Sequence, residues 1–195
     1  MLHPVLNGTV ISYKNLPVMN KIYRIENGVV VPDGTTVYEI IGPIQSKLAK
    51  LPIIDAESLA YGELAPGEKS HVHVHPVITH LTWVVSGTLT VGMKDTASND
   101  MYYIEVKERE TVLTQPGTFF QLLNNSGQQC QVLYIVAPAF IFEVNEQGEV
   151  LYNDQIVLDL SWDQLRQQNW QIPELQNMEK IIADREASVQ RLKQK

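Results

Sequence analysis

Between Thr35 and Tyr152 the chain is interrupted too often to carry a long helix. Runs rich in Val, Ile, Thr, Tyr and Phe are cut by Pro66-Gly67, Ser86-Gly87, Pro116-Gly117, Asn124-Asn125-Ser126-Gly127 and Gln147-Gly148. Glycine supplies positive φ, and proline presets φ while removing a donor, so each cut forces a turn. Strands are expected at Thr35–Ile41, Ser58–Leu64, Ser70–His75, Ile78–Val85, Thr88–Met93, Met101–Val106, Thr111–Thr114, Phe119–Leu123, Gln129–Val136 and Phe140–Val144. Many short strands at close spacing predict an all-β sandwich or barrel. Asn27-Gly28 and Asp33-Gly34 extend the turn pattern toward the N-terminus.

After Asp159 the texture becomes helical. Ser161-Trp162-Asp163-Gln164 has the form of a capping box, and Pro173 suits the first turn of a second helix. Leu175, Met178, Ile182, Val189 and Leu192 form one helical stripe, interrupted at Arg185. Such a helix lies across the barrel or joins two copies. The expected organisation is an N-terminal extension over residues 1–45, a barrel over 46–154 and a helical segment over 155–195.

Composition excludes several partners. Of 195 residues, 22 are acidic and 15 basic, a net charge of −7, and phosphate binding needs a basic footprint, so no nucleic acid is expected. Cys130 is the single cysteine, which rules out a disulfide framework and points to a reducing, cytoplasmic setting. The N-terminus has neither the basic nor the apolar region of a secretory signal, and no apolar run is long enough for a bilayer, so no membrane role is expected.

Composition leaves the histidines unexplained. Four of the five, His71, His73, His75 and His80, fall within ten residues. In Ser70-His71-Val72-His73-Val74-His75 they alternate with valine, and a strand sends alternate residues to opposite faces, so three imidazoles share one face. Pro76 interrupts that strand, and His80 opens a second, from which it can project toward His73 and His75. Three imidazoles suit a first-row transition ion and leave coordination positions open, as a catalytic site requires. With no carboxylate among them, such a site favours an anionic, chelating substrate. A metal held by His71, His73 and His75 is an alternative from the same strand.

The spacing Gly67-x5-His73-x-His75-x4-His80-x6-Gly87 resembles the first motif of the cupins, whose ligands there are His, His and Glu. His80 stands in the glutamate position. The second cupin motif is resembled by Pro116-Gly117 through Asn124, with Phe120 in the histidine position, so the fourth ligand is missing unless a bulge turns Gln121 inward. The resemblance covers residues 58–144 and implies a double-stranded β-helix barrel, a homodimer and one divalent transition metal on His73, His75 and His80. Fe(II) is the leading candidate, with Zn, Ni, Mn and Cu as alternatives. It further implies a dioxygenase-type reaction on a small organic substrate, an isomerase or lyase using the same scaffold otherwise. Loss of the glutamate and of the second-motif histidine also fits a barrel that binds a ligand without catalysis.

Around that set, His71 is expected at the pocket rim, and Phe120, Trp83 and Gln121 along its wall. Tyr134 and Tyr61 are the candidate proton donors. Glu63 reads as a solvated strand residue, Cys130 as a small buried hydrophobe, and Glu105 to Glu110 as a charged hairpin edge.

Overall fold

A computed structural model describes Ile25 and residues 28–194. His3 and Asn27 of the expected Asn27-Gly28 turn lie outside the described residues. The strands are β1 (Val29–Val30), β2 (Thr36–Ile41), β3 (Ser58–Leu64), β4 (Val72–Val74), β5 (Thr79–Ser86), β6 (Thr88–Lys94) and β7 (Tyr102–Lys107). They continue as β8 (Thr111–Thr114), β9 (Phe119–Leu123), β10 (Cys130–Ala137), β11 (Phe142–Val144), β12 (Val150–Asn153) and β13 (Ile156–Leu158). The helices are α1 (Pro43–Ala49), α2 (Trp162–Gln167) and α3 (Met178–Gln194).

Two antiparallel sheets face one another, in the orders β1-β2-β3-β10-β5-β8 and β13-β4-β9-β6-β7. From β3 to β6 the chain crosses between them at each strand, and it crosses again at β8, β9 and β10. This is the double-stranded β-helix. β1 and β2, from the segment expected as an extension, are strands of the first sheet, and β13, beyond the expected barrel, pairs with β4. Backbone hydrogen bonding explains this, because β3 and β4 would otherwise leave an edge open.

The core lies between the sheets and includes Leu64, Val84, Val91, Phe120, Leu122, Cys130 and Val132. Cys130 is buried there and burial pushes its thiol up to about 11, matching the hydrophobe expected. Gly87 makes the β5–β6 turn at φ +85°, where a Cβ would lie 2.7 Å from Gln129 O, so no other residue fits without movement.

The outer face of the second sheet is covered by the C-terminal segment. Val72, Val74 and Phe119 pack with Leu165, Trp170 and Ile172, so both faces of β4 are buried. Ser161 caps α2 as expected, its Oγ accepting from Gln164 N (3.3 Å) while Gln164 Oε1 accepts from Ser161 N (2.8 Å). The second helix begins at Met178 rather than Pro173, which instead opens a 3₁₀ turn, Pro173–Leu175. Asn177 Oδ1 accepts from Lys180 N (3.0 Å), capping α3, which starts five residues later than expected. The stripe is also shifted: Met178 and Ile182 are exposed, while Arg185, Ser188 and Val189 are buried. Among the described residues no helix is long and apolar enough to cross a membrane.

Candidate metal centre

β4 and β5 deliver the histidines. His73 lies in β4 and His75 follows it directly, and His80 points inward from β5 with Thr82 and Val84; all three imidazoles are buried. Ring centroids of His73 and His75 are 5.3 Å apart, and those of His75 and His80 5.4 Å. They line a cavity with Val37, Tyr134, Val136, Phe140, Asp33 and Glu39.

Backbone carbonyls fix two of the rings. His73 Nδ1–H donates to His71 O (2.9 Å), and His75 Nδ1–H donates to Asp154 O (3.2 Å). A neutral imidazole that gives its Nδ1 proton to a carbonyl keeps a lone pair on Nε2, the arrangement that orients metal-ligating histidines. His80 differs. Its Nε2 lies 3.4 Å from Thr82 Oγ1, and its buried Nδ1 has no partner among the described residues. Burial lowers the basicity of His73 and His75, and takes His80 down to about 3. Neutral imidazoles are the form a metal requires.

The donor chemistry therefore fits a divalent ion: two oriented lone pairs and one orphaned ring nitrogen. The geometry is not closed around one, since no three His, Cys, Asp or Glu side chains among the described residues stand in a metal-holding arrangement. Phe120 explains part of this. The β9–β6 register runs without a shift, so Phe120 stays in the inward position, its ring centroid 4.0 Å from that of His73 and 5.4 Å from those of His75 and His80.

The other expected site residues divide. Tyr134 is in the cavity wall, its ring 5.4 Å from His80, and its buried hydroxyl has no partner among the described residues. Its ring lies over the backbone of Gly62, where a Cβ would approach Cε2 to 2.5 Å. Tyr61 is not in the cavity: on the outer face of β3 it donates to Glu63 and packs against Tyr38. Trp83 is also displaced, because the alternation that turns His80, Thr82 and Val84 inward turns Trp83 outward. Gln121 points away, with Nε2 donating to Ser70 O (2.7 Å) and Oε1 accepting from Trp162 Nε1 (3.0 Å). His71 has an exposed ring outside the cavity, though its backbone holds both His73 and, through N–H to Asp33 O (2.8 Å), the loop before β2.

Two buried acids were missed. Glu39 lines the cavity and accepts from Gln45 N (2.5 Å) at the start of α1, and burial raises its carboxyl to about 7. Asp33 Oδ2 lies 3.6 Å from His73 Nε2. Its only sequence signal was a turn, Asp33-Gly34, forty residues from its partner.

Barrel, motif spacing and inward histidines together define a cupin-type fold. Staphylococcus aureus capsular polysaccharide assembling protein CapF shares it at 16% identity, over 74% of this chain and 34% of that one, with a TM-score of 0.52. Lactobacillus farciminis oxalate decarboxylase in a formate complex is 16% identical over 68% of this chain and 33% of its own, at 0.50. A recombinant oxalate oxidase in complex with glycolate is 23% identical over 55% of this chain and 53% of its own, at 0.46. The chain spans about half the length of the oxidase and a third of the other two, and the fold is what it shares with CapF and the decarboxylase. No protein-family model matches the sequence, and no curated protein does.

Proposed function

We propose that this chain is a metal-dependent cupin-type enzyme acting on a small organic substrate, with one divalent transition metal on His73, His75 and His80. The observation carrying this reading is the pair of Nδ1–H···O=C bonds that leaves the His73 and His75 lone pairs inward, beside the unpartnered Nδ1 of His80. A bound metal would supply Lewis-acid or redox chemistry at positions left open by three protein ligands. Fe(II) and a dioxygenase-type reaction are the leading form; Zn, Ni, Mn or Cu as the metal, and an isomerase or lyase reaction, are the alternatives.

The protein's own groups set the conditions. Val37, Val136 and Phe140 keep the cavity apolar and exclude water. No Lys or Arg among the described residues lines it, so the metal would be the one cationic partner for a substrate's anionic end. Tyr134 holds a hydroxyl proton beside His80, free for a substrate oxygen. A homodimer belongs to the same proposal and is checked by light scattering.

Metal content of tag-free protein tests it. Near one metal per chain, lost in His73→Ala, is the expected result, and less than about 0.2 per chain under every metal supplement overturns it. Packing of Phe120 against all three imidazoles favours a second reading, an apolar-ligand barrel without catalysis, which that same low content would support.

A further inference from the structure

His80 in the glutamate position removes the one negative charge from the first cupin motif. Another carboxylate stands close by. Asp33, in the loop between β1 and β2, is buried and held on three of its four polar atoms. Its N–H donates to Gln155 Oε1 (3.1 Å), its carbonyl accepts from His71 N (2.8 Å), and Oδ1 accepts from Thr35 N (2.9 Å) and Thr35 Oγ1 (2.7 Å). Only Oδ2 is left, and it faces His73 Nε2 across 3.6 Å.

That facing is unusual. Because Nδ1–H of His73 is committed to His71 O, Nε2 presents a lone pair, and Oδ2 presents another. The gap is longer than a hydrogen bond. It is close to the separation of about 3.3–3.5 Å between two ligands at tetrahedral Zn–N and Zn–O distances. Two acceptors held toward each other in a buried wall make a seat for a cation. Two histidines with one carboxylate and open positions is, moreover, a donor set suited to a non-haem divalent iron.

We propose that Asp33 is a ligand of the site's divalent metal, supplying from outside the motif the carboxylate that His80 replaced. This rests on the metal reading above. It makes the loop before β2 part of the site and sets a carboxylate beside His73; His75 and His80, which do not stand in a metal-holding arrangement with that pair, would close in to complete the set.

Asp33→Asn is the informative variant, because an amide oxygen still accepts from Thr35 N while the charge is removed. The probe is the metal alone: anaerobic Fe(II), and Zn(II), by equilibrium dialysis with elemental analysis, alongside thermal unfolding of the metal-free proteins. Wild type is expected to hold near one metal per chain, and Asp33→Asn to bind at least tenfold more weakly with metal-free unfolding little changed. If wild type binds metal and Asp33→Asn binds it as tightly, Asp33 is only an ion-pair partner of His73; this inference falls while the metal reading stands. If wild type binds none, both fall. Should Asp33→Asn not fold, infrared difference spectra of wild type at one equivalent of Zn(II) decide: a shifted carboxylate stretch supports ligation, and imidazole bands alone overturn it.

Discussion

Arg185 of α3 reaches into the barrel wall and pairs with Asp154, Nε lying 3.0 Å from Oδ1 and 3.2 Å from Oδ2. The same aspartate accepts from Tyr152 OH (2.7 Å) and Ile141 N (2.8 Å), and its backbone carbonyl accepts from His75 Nδ1. Arg185 also donates to Ala139 O. The C-terminal helix is thereby tied, through one residue, to the orientation of a candidate ligand.

Removing one partner of a buried ion pair strands the other charge. Arg185→Ala is expected to cost about 3–5 kcal/mol in urea unfolding, and Arg185→Met with Asp154→Asn to recover much of that. A loss under about 1 kcal/mol in the single variant would show that α3 is not anchored this way.

Stability of the metal-free protein should fall as pH drops below 6.5. His80 has its pKa lowered from 6.5 to about 3, and His73 and His75 are lowered too, so in that window the unfolded chain binds protons that the fold does not. Each such proton contributes about 1.4 kcal/mol per pH unit. Glu39, raised from 4.5 to about 7, acts in the opposite sense, since the fold takes its proton first. Asp154, whose carboxyl burial also raises, acts in that same sense, and three imidazoles outweigh the two carboxyls. Unfolding midpoints from pH 7.5 to 4 check the sign, and His80→Gln should flatten the slope.

Phe120 is fully buried among the histidines, so Phe120→Ala is expected to cost about 3–5 kcal/mol. Phe120→His is the more telling change. A fourth imidazole in the inward slot of β9 should tighten Zn(II) binding by about tenfold or more, as measured by calorimetry. Unchanged affinity in a folded Phe120→His protein would mean that this slot does not face the metal.

Gly62 and Gly127 form a paired test of packing. A Cβ at Gly62 meets Tyr134 Cε2 at 2.5 Å, whereas one at Gly127 meets nothing within 4 Å. Gly62→Ala should therefore destabilise by about 1–3 kcal/mol and displace the Tyr134 ring. Gly127→Ala should stay within about 0.5 kcal/mol. Equal thermal shifts for the two would refute a close approach at Gly62.

Local chemistry made much of the molecule readable. Ser58–Leu64, Thr111–Thr114 and Phe119–Leu123 have the bounds that β-branched runs and turn residues predicted, and Ser161 caps its helix as the capping box required. Alternation put His73 and His75 on one face, and motif spacing placed His80 beside them, because both depend only on period and chain length. Facing and partnership across the fold were not readable. Alternation says that Trp83 and His80 differ in side, but not which side is the core, and no spacing rule links Asp33 to His73 or Arg185 to Asp154. Arg185 looked like a flaw in an apolar stripe and is one of the polar anchors of its helix, with Ser188 and Arg191 on Glu143. The difference is physical: turns and strands answer to the torsional preferences of a few neighbouring residues. A buried charge is placed by whichever distant partner compensates its desolvation, and only the folded chain brings that partner within reach.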